Sequence, residues 1–174
     1  FGPLLALFQR YPLAELIVHP RVQQDMYKNT PRRAYFARAL ADSPFPVCYN
    51  GDLYTVPALE AFQAEFPAAE RIMLGRGLAG DPALARKAEG GPAAGREELR
   101  AFHDQVYEGY AGAFGSRRNA MLRMKEVFYL IHLFGDSQRH AKAIRKARDT
   151  GEYESAVAAV FRELELLPEL RPEW

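Results

Sequence analysis

Apolar and polar positions along the chain change rhythm once. In the first half, short continuous apolar runs alternate with stretches of helical period. A short helix is predicted over 3–10, ending before Tyr11-Pro12. Leu16-Ile17-Val18 is a β-branched run without polar alternation, the pattern of a parallel strand buried on both faces. The pattern recurs at Pro46-Val47-Cys48-Tyr49 and at Arg71-Ile72-Met73-Leu74. Between these runs, helices are predicted over 31–41, with Thr30 as N-cap and Pro31 at the first position, and from Thr55 to about Phe66, with Leu59, Phe62 and Phe66 on one face. A further short helix is predicted from Asp81-Pro82. Strand and helix thus alternate three times with a period of about 25–31 residues, the size of a βα unit in a parallel sheet.

Beyond a linker, Ala88-Glu89-Gly90-Gly91-Pro92-Ala93-Ala94-Gly95, the rhythm is helical alone. Leu99, Phe102, Val106, Tyr110 and Ala113 share one face. After the Gly115-Ser116 break, Met121, Met124, Phe128 and Ile131 do so again. Helices over 137–149 and 152–166 follow, the last with Val157, Val160 and Leu164 inward. Short connections between amphipathic helices predict an antiparallel bundle. The expected fold is therefore α/β followed by all-α. Residues 1–88 form the C-terminal part of a (β/α)8 TIM barrel, about three βα units, and residues 96–167 form a four-helix bundle. Three strands cannot close a barrel, and the chain opens on Phe1-Gly2-Pro3 without Met. A piece of a longer protein is expected, self-associating through its exposed strand edge.

Composition narrows the picture only a little. The 174 residues, 48% hydrophobic and 26% charged, are those of an ordinary globular protein. A net charge of +1 means that any contact with nucleic acid must come from a local patch. One cysteine, Cys48, excludes an internal disulfide and fits a reducing compartment, so a cytoplasmic protein is expected. No apolar run is long enough to span a membrane, and no His/Cys/Asp/Glu spacing points to a metal.

Candidate chemistry lies at the ends of the strands, where β/α barrels carry their sites. Gly75-Arg76-Gly77 follows the third run; glycines let the backbone approach a phosphate, and Arg76 can add a charge-assisted hydrogen bond. Asn50-Gly51-Asp52 ends the preceding run, and barrels with phosphorylated ligands often use the loops after their last two strands. Each turn could equally be a plain turn. His19 ends the first run on the same rim, as a ligand contact or a polar plug. In the helical half, Arg139, Lys142 and Lys146 fall on one stripe of a helix, with Arg145 and Arg148 beside it and Ala143, Ile144 and Ala147 opposite. Arg117, Arg118, Arg123 and Lys125 add charge on the preceding helix. Such a face is either solvated or fits a polyanion.

Leu16-Ile17-Val18-His19-Pro20-Arg21 through Met26-Tyr27-Lys28, then Pro46-Val47-Cys48-Tyr49-Asn50-Gly51-Asp52, then Met73-Leu74-Gly75-Arg76-Gly77, resembles the tRNA-dihydrouridine synthases in order, spacing and wording. Met124-Lys125-Glu126, Arg139-His140 and Ile144-Arg145-Lys146-Ala147-Arg148 resemble that family's C-terminal helical domain. The resemblance implies an oxidoreductase with an FMN-binding barrel, NADPH as reductant and tRNA as substrate and partner. It implies that Asn50, Gly51, Asp52, Gly75 and Arg76 hold the phosphate and ribityl end of FMN, and that His19 contacts the flavin or the base. It places Tyr27, Arg123, Lys125, Arg139, Lys142, Arg145 and Lys146 on the tRNA. The family's catalytic cysteine lies in an Asn-x-x-Cys-Pro segment, for which this chain has no counterpart; no catalytic residue is assigned, and Cys48 is expected to be a packed strand thiol. The chain by itself is expected to be inactive. Two other readings stay open: another phosphate-binding barrel oxidoreductase, and a non-enzymatic RNA-binding module.

Overall fold

The computed structural model describes residues 1–25 and 29–171. They fall into two compact units. One comprises 1–53 with 57–75, and the other 54–56 with the described residues from 76 onward.

The first unit contains α1 (Gly2–Phe8), β1 (Leu16–Val18), α2 (Arg33–Asp42), β2 (Val47–Asn50), α3 (Val56–Glu65) and β3 (Arg71–Met73). The three strands are parallel, in the order β1-β2-β3, with Val18 beside Tyr49 and Tyr49 beside Ile72. In-register residues of parallel strands point the same way. One face of the sheet therefore carries Leu16, Val18, Val47, Tyr49 and Ile72. It packs against Phe36 and Ala39 of α2 and Leu59 and Phe62 of α3. Tyr49 stacks on Phe62, centroids 4.3 Å apart, and meets Phe36 edge-on at 5.0 Å. Phe36, Tyr49 and Phe62 are fully buried, each contributing about 1.5–3 kcal/mol.

The opposite face carries Ile17, Cys48 and Arg71 in one row and Asn50 and Met73 in the next. Here the expectation of strands buried on both faces holds for β2 alone. Ile17 is 50% and Met73 48% exposed. The reason is topological: β1 and β3 are edge strands, and their second face is open to solvent. A small parallel sheet backed by helices on one face is compatible with part of a β/α barrel.

The helix predicted at 31–41 begins two residues later. Thr30-Pro31 does not start it; Arg32 is the N-cap residue, with no side-chain capping bond, because its N–H donates to the Pro20 carbonyl at 2.8 Å and its guanidinium is drawn to Asp25. The helix expected from Asp81-Pro82 is instead two short ones, α4 (Arg76–Gly80) and α5 (Leu84–Ala88). Between them the buried Asp81 carboxylate accepts from the Ala83 N–H and the Lys87 ammonium, both at 3.0 Å, which ends one helix and starts the next.

The second unit continues with α6 (Arg96–Phe114), α7 (Arg117–Val127), a 3-10 turn (Tyr129–Leu133), α8 (Gln138–Lys146) and α9 (Thr150–Glu163). α6 ends at Gly115, whose φ of 60° is the left-handed C-cap that glycine favours. Ser116 then caps α7, accepting from the Asn119 N–H at 3.3 Å. The apolar stripe expected to run as one helix to Ile131 leaves the α-helix at Val127. Phe128 and Ile131 are nonetheless buried, delivered by the 3-10 turn. α8 is shorter than the predicted 137–149, because Asp149 serves as the N-cap of α9, accepting from the Glu152 N–H at 2.8 Å. α6 packs on α7 and α8 on α9, around Leu99, Met121, Met124, Ile144, Tyr153, Val157 and Val160. Arg96 closes the far end of α9, donating to the Phe161 and Leu164 carbonyls at 2.6 and 2.7 Å.

Candidate functional site

The parallel order of β1, β2 and β3 brings their C-terminal ends side by side, and a connected set of polar side chains lies there. Asn50, the last residue of β2, bonds in both directions. Its Nδ2 donates to the Met73 carbonyl of β3 at 2.8 Å, and its own carbonyl accepts from His19 Nδ1 at the same distance. A carbonyl only accepts, so this contact puts the ring proton on Nδ1. Asp52, in the turn after β2, takes both arms of the Arg21 guanidinium: Nη1 donates to Oδ1 at 2.7 Å and Nη2 to Oδ2. The structure thus brings His19, Asn50, Gly51, Asp52 and Gly75 together as one rim.

The two glycines differ in kind. A Cβ on Gly51 would sit 2.7 Å from the Tyr49 hydroxyl and 3.0 Å from Pro31 Cγ, so the absence of a side chain there serves packing beneath the turn. A Cβ on Gly75 would meet nothing within 4 Å. The main chain at the end of β3 is open, as close approach by a ligand requires. Arg76, the next residue, opens α4; its Nη2 donates to the Tyr54 hydroxyl at 2.7 Å and its guanidinium lies 5.5 Å from the centre of that ring. On the rim, the open main chain at Gly75, the Asn50 amide and the Asp52 carboxylate are a donor and acceptor set that fits a phosphate-bearing, hydroxyl-rich ligand.

In the second unit the basic side chains divide into two groups. Arg123 pairs with Glu126 at 2.7 Å, and the half-buried Lys125 donates to the Ala147 carbonyl at 2.8 Å, capping the end of α8. Arg139, Lys142, Arg145 and Lys146 of α8 are exposed and make no ion pair among the described residues. Ile144 and the adjoining Ala147 are buried beneath them, while Ala143, expected on the inner side, is exposed. Tyr27 lies outside the described residues.

The family model described as "Dihydrouridine synthase (Dus)" matches residues 8–170, nearly the whole chain. The chain belongs to the dihydrouridine synthase family. It is 36% identical over 77 residues, 44% of its length, to a tRNA-dihydrouridine(16) synthase of Cupriavidus necator. It is also 36% identical over 74 residues, 42% of its length, to a tRNA-dihydrouridine(16) synthase of Pseudomonas syringae pv. tomato. The matched stretch spans about a quarter of each relative, 24% and 23%.

Three polar side chains that sequence reasoning left aside proved central to their surroundings. Arg21 is 5% exposed and clamps Asp52; it stood in the quoted motif, but nothing in a lone arginine after His-Pro signals a partner 31 residues on. Asp25, 3% exposed, accepts from the Val22 N–H, Asn29 Nδ2 and both Arg32 arms. Those bonds, Arg32's first, hold its carboxyl well below the usual range. His103 is buried in α6 between Asp104 and the Tyr153 hydroxyl, each 2.8 Å from a ring nitrogen. Cys48 is buried in β2, and burial pushes its thiol pKa up, which disfavours the reactive thiolate. Among the described residues no group of three or more His, Cys, Asp or Glu could hold a metal ion, and no helix is long and apolar enough to cross a membrane.

Proposed function

We propose that the chain is part of a flavin-dependent tRNA-dihydrouridine synthase. In this reading residues 1–88 belong to the C-terminal portion of its FMN-binding (β/α)8 barrel, and residues 96–167 form a four-helix tRNA-binding domain. The observation that carries the reading is the rim at the C-terminal ends of adjacent parallel strands, in a chain of the dihydrouridine synthase family.

The residues present fit FMN. Gly75 would let the main chain approach the phosphate, and Arg76, oriented by Tyr54, would donate to it. Asn50 and Asp52 would meet the ribityl hydroxyls; the carboxylate of Asp52 is an acceptor and suits a hydroxyl better than a phosphate. His19, its tautomer set by Asn50, would contact the flavin or the base. Bound there, the flavin would supply the hydride chemistry, drawing on NADPH and reducing a uracil of the tRNA. Arg139, Lys142, Arg145 and Lys146 would hold the tRNA backbone, and Tyr27, Arg123 and Lys125 would lie along the same substrate. Cys48 is not the proton donor in this scheme, because a buried strand thiol cannot reach a flipped-out base. The chain by itself is therefore inactive, and the protein works in the cytoplasm, where tRNA is modified.

The test is dihydrouridine formation in unmodified tRNA with FMN and NADPH. The intact protein should carry a flavin absorbance and modify the tRNA. Position 16, for which both relatives are named, is the first to examine. The 174-residue chain should give no product. An intact protein that binds no flavin would sink the reading. Product from this chain alone would overturn the claim that it is inactive.

A further inference from the structure

We propose that Arg21 is a positioning residue for the cofactor turn, and that through it the described flanks of the loop after β1, residues 21–25 and 29–32, are coupled to the Asn50-Gly51-Asp52 turn. This rests on the reading above, in which that turn holds the flavin.

Arg21 bridges two separate stretches of chain. Its Nη1 and Nη2 donate to the two oxygens of Asp52, while Nε and Nη2 donate to the Asn29 carbonyl at 2.9 and 2.5 Å. A bidentate guanidinium fixes the direction of a carboxylate as well as its distance. The Arg21 side chain is 5% exposed against 27% for the half-buried Asp52, so the guanidinium is shielded from water and loss of the carboxylate would leave a buried charge without this partner. On the loop side, Asn29 is held by Asp25, whose carboxylate also takes the Val22 N–H at 2.9 Å and the Arg32 guanidinium at 2.6 and 3.0 Å. The Arg32 N–H closes the base of the loop on the Pro20 carbonyl at 2.8 Å. These two flanks are thus held around one buried carboxylate and tied to the turn by one buried guanidinium. On the turn side, Gly51 rests against the Tyr49 hydroxyl. Packing supports the turn from below, and Arg21 holds it from the side.

This arrangement makes the two segments thermodynamically linked. A ligand that favours the ordered turn must, by reciprocity, favour the ordered loop, and anything that loosens the loop must weaken the ligand. Loss of a salt bridge that served fold stability alone would lower the melting temperature without changing what the turn transmits to the loop.

The experiment uses the intact protein with FMN as probe, well below its melting temperature, and the variants Arg21→Met, Arg21→Lys, Asp52→Asn and the Arg21→Met/Asp52→Asn double. Flavin fluorescence gives the dissociation constant. Hydrogen exchange at the Val22 and Arg32 amides reports the loop. Arg21→Met should weaken FMN by about tenfold, Arg21→Lys should rescue little of that because the fork is lost, and the double variant should be no worse than the worse single. FMN should slow exchange at Val22 and Arg32 in the wild type and not in Arg21→Met. Unchanged affinity in folded Arg21→Met, additive losses in the double, or flavin-induced protection that survives the substitution would each overturn the proposal. Should Arg21→Met fail to fold, the near-isosteric Asp52→Asn decides: protection of the two amides by FMN must be lost there as well, and its persistence is fatal. A wild type that binds no FMN would defeat the functional reading itself, an outcome distinct from a flavoprotein indifferent to Arg21.

Discussion

Residues with the same name do different work in this chain, and substitutions can separate them. Gly51→Ala would drive a methyl group into the Tyr49 hydroxyl and Pro31, and should cost about 1–3 kcal/mol as overpacking. Gly75→Ala meets open space, so the melting temperature should stay where it is while flavin binding by the intact protein falls. Flavin retention in a stable Gly75→Ala protein would reduce that turn to a plain connection. His103 gives a second test at this scale. Its ring lies among Tyr107, Phe128, Tyr153 and Phe161, with Asp104 and Arg100 nearby. Burial lowers its pKa below the ordinary 6.5, an effect larger than the opposing pull of Asp104. The folded state then binds fewer protons than the unfolded one, so stability is intact above pH 6.5 and falls as pH drops below it. Thermal unfolding between pH 7 and 5 should show this decline, and His103→Gln should flatten it. Tyr153→Phe, which leaves Nε2 without its hydroxyl, should cost about 1–3 kcal/mol. A decline of the same size in His103→Gln would assign it to the carboxylates instead.

At the scale of elements, the contrast between α7 and α8 carries the most information. On α7, Arg117 pairs with Glu108 and Glu154 and Arg123 with Glu126, which leaves Arg118 as its one exposed cation without an ion pair among the described residues. The exposed cations of α8 have no such partners among the described residues. Arg145→Glu with Lys146→Glu should weaken tRNA binding by the intact protein and leave flavin content unchanged. The slope of log affinity against log salt should become shallower by about one for each lost phosphate contact. An unchanged slope would mean a merely solvated face. How much of this was legible in sequence follows from range. The strands were visible because a β-branched run is local, and α6 and α9 because an apolar stripe repeats every turn. The helix ends were misplaced where a distant polar group decides them: Asp25 and the Pro20 carbonyl delay α2, Asp81 splits 76–88, and Asp149 belongs to α9 and not to α8. The rim residues were legible as turn-forming types at strand ends. Arg21 was not, because its meaning lies in a carboxylate of the next strand's turn.

At the scale of the whole molecule, the open face of the sheet is the feature that a stable monomer has most difficulty tolerating. Ile17 and Met73 stand on that face half exposed, with the unused hydrogen-bonding edges of β1 and β3 on either side. Exposed edges pair with other chains, and exposed apolar side chains associate. In a closed barrel this face would be the packed interior; its one charged strand residue, Arg71, stands in the row of Ile17 and pairs with Glu15, while the row of Met73 carries no charge. The 174-residue chain should therefore self-associate, seen as a mass above 19.6 kDa by light scattering. Ile17→Lys with Met73→Lys should shift it toward monomer, because the charged heads reach solvent while the α2 and α3 face is untouched. The same pair of substitutions in the intact protein should be severely destabilising, since there the lysines would enter a barrel core. Opposite effects in the two contexts are the expected result. A chain that is monodisperse and melts sharply without the substitutions would show that three strands backed by two helices suffice, and the barrel reading would lose its physical support.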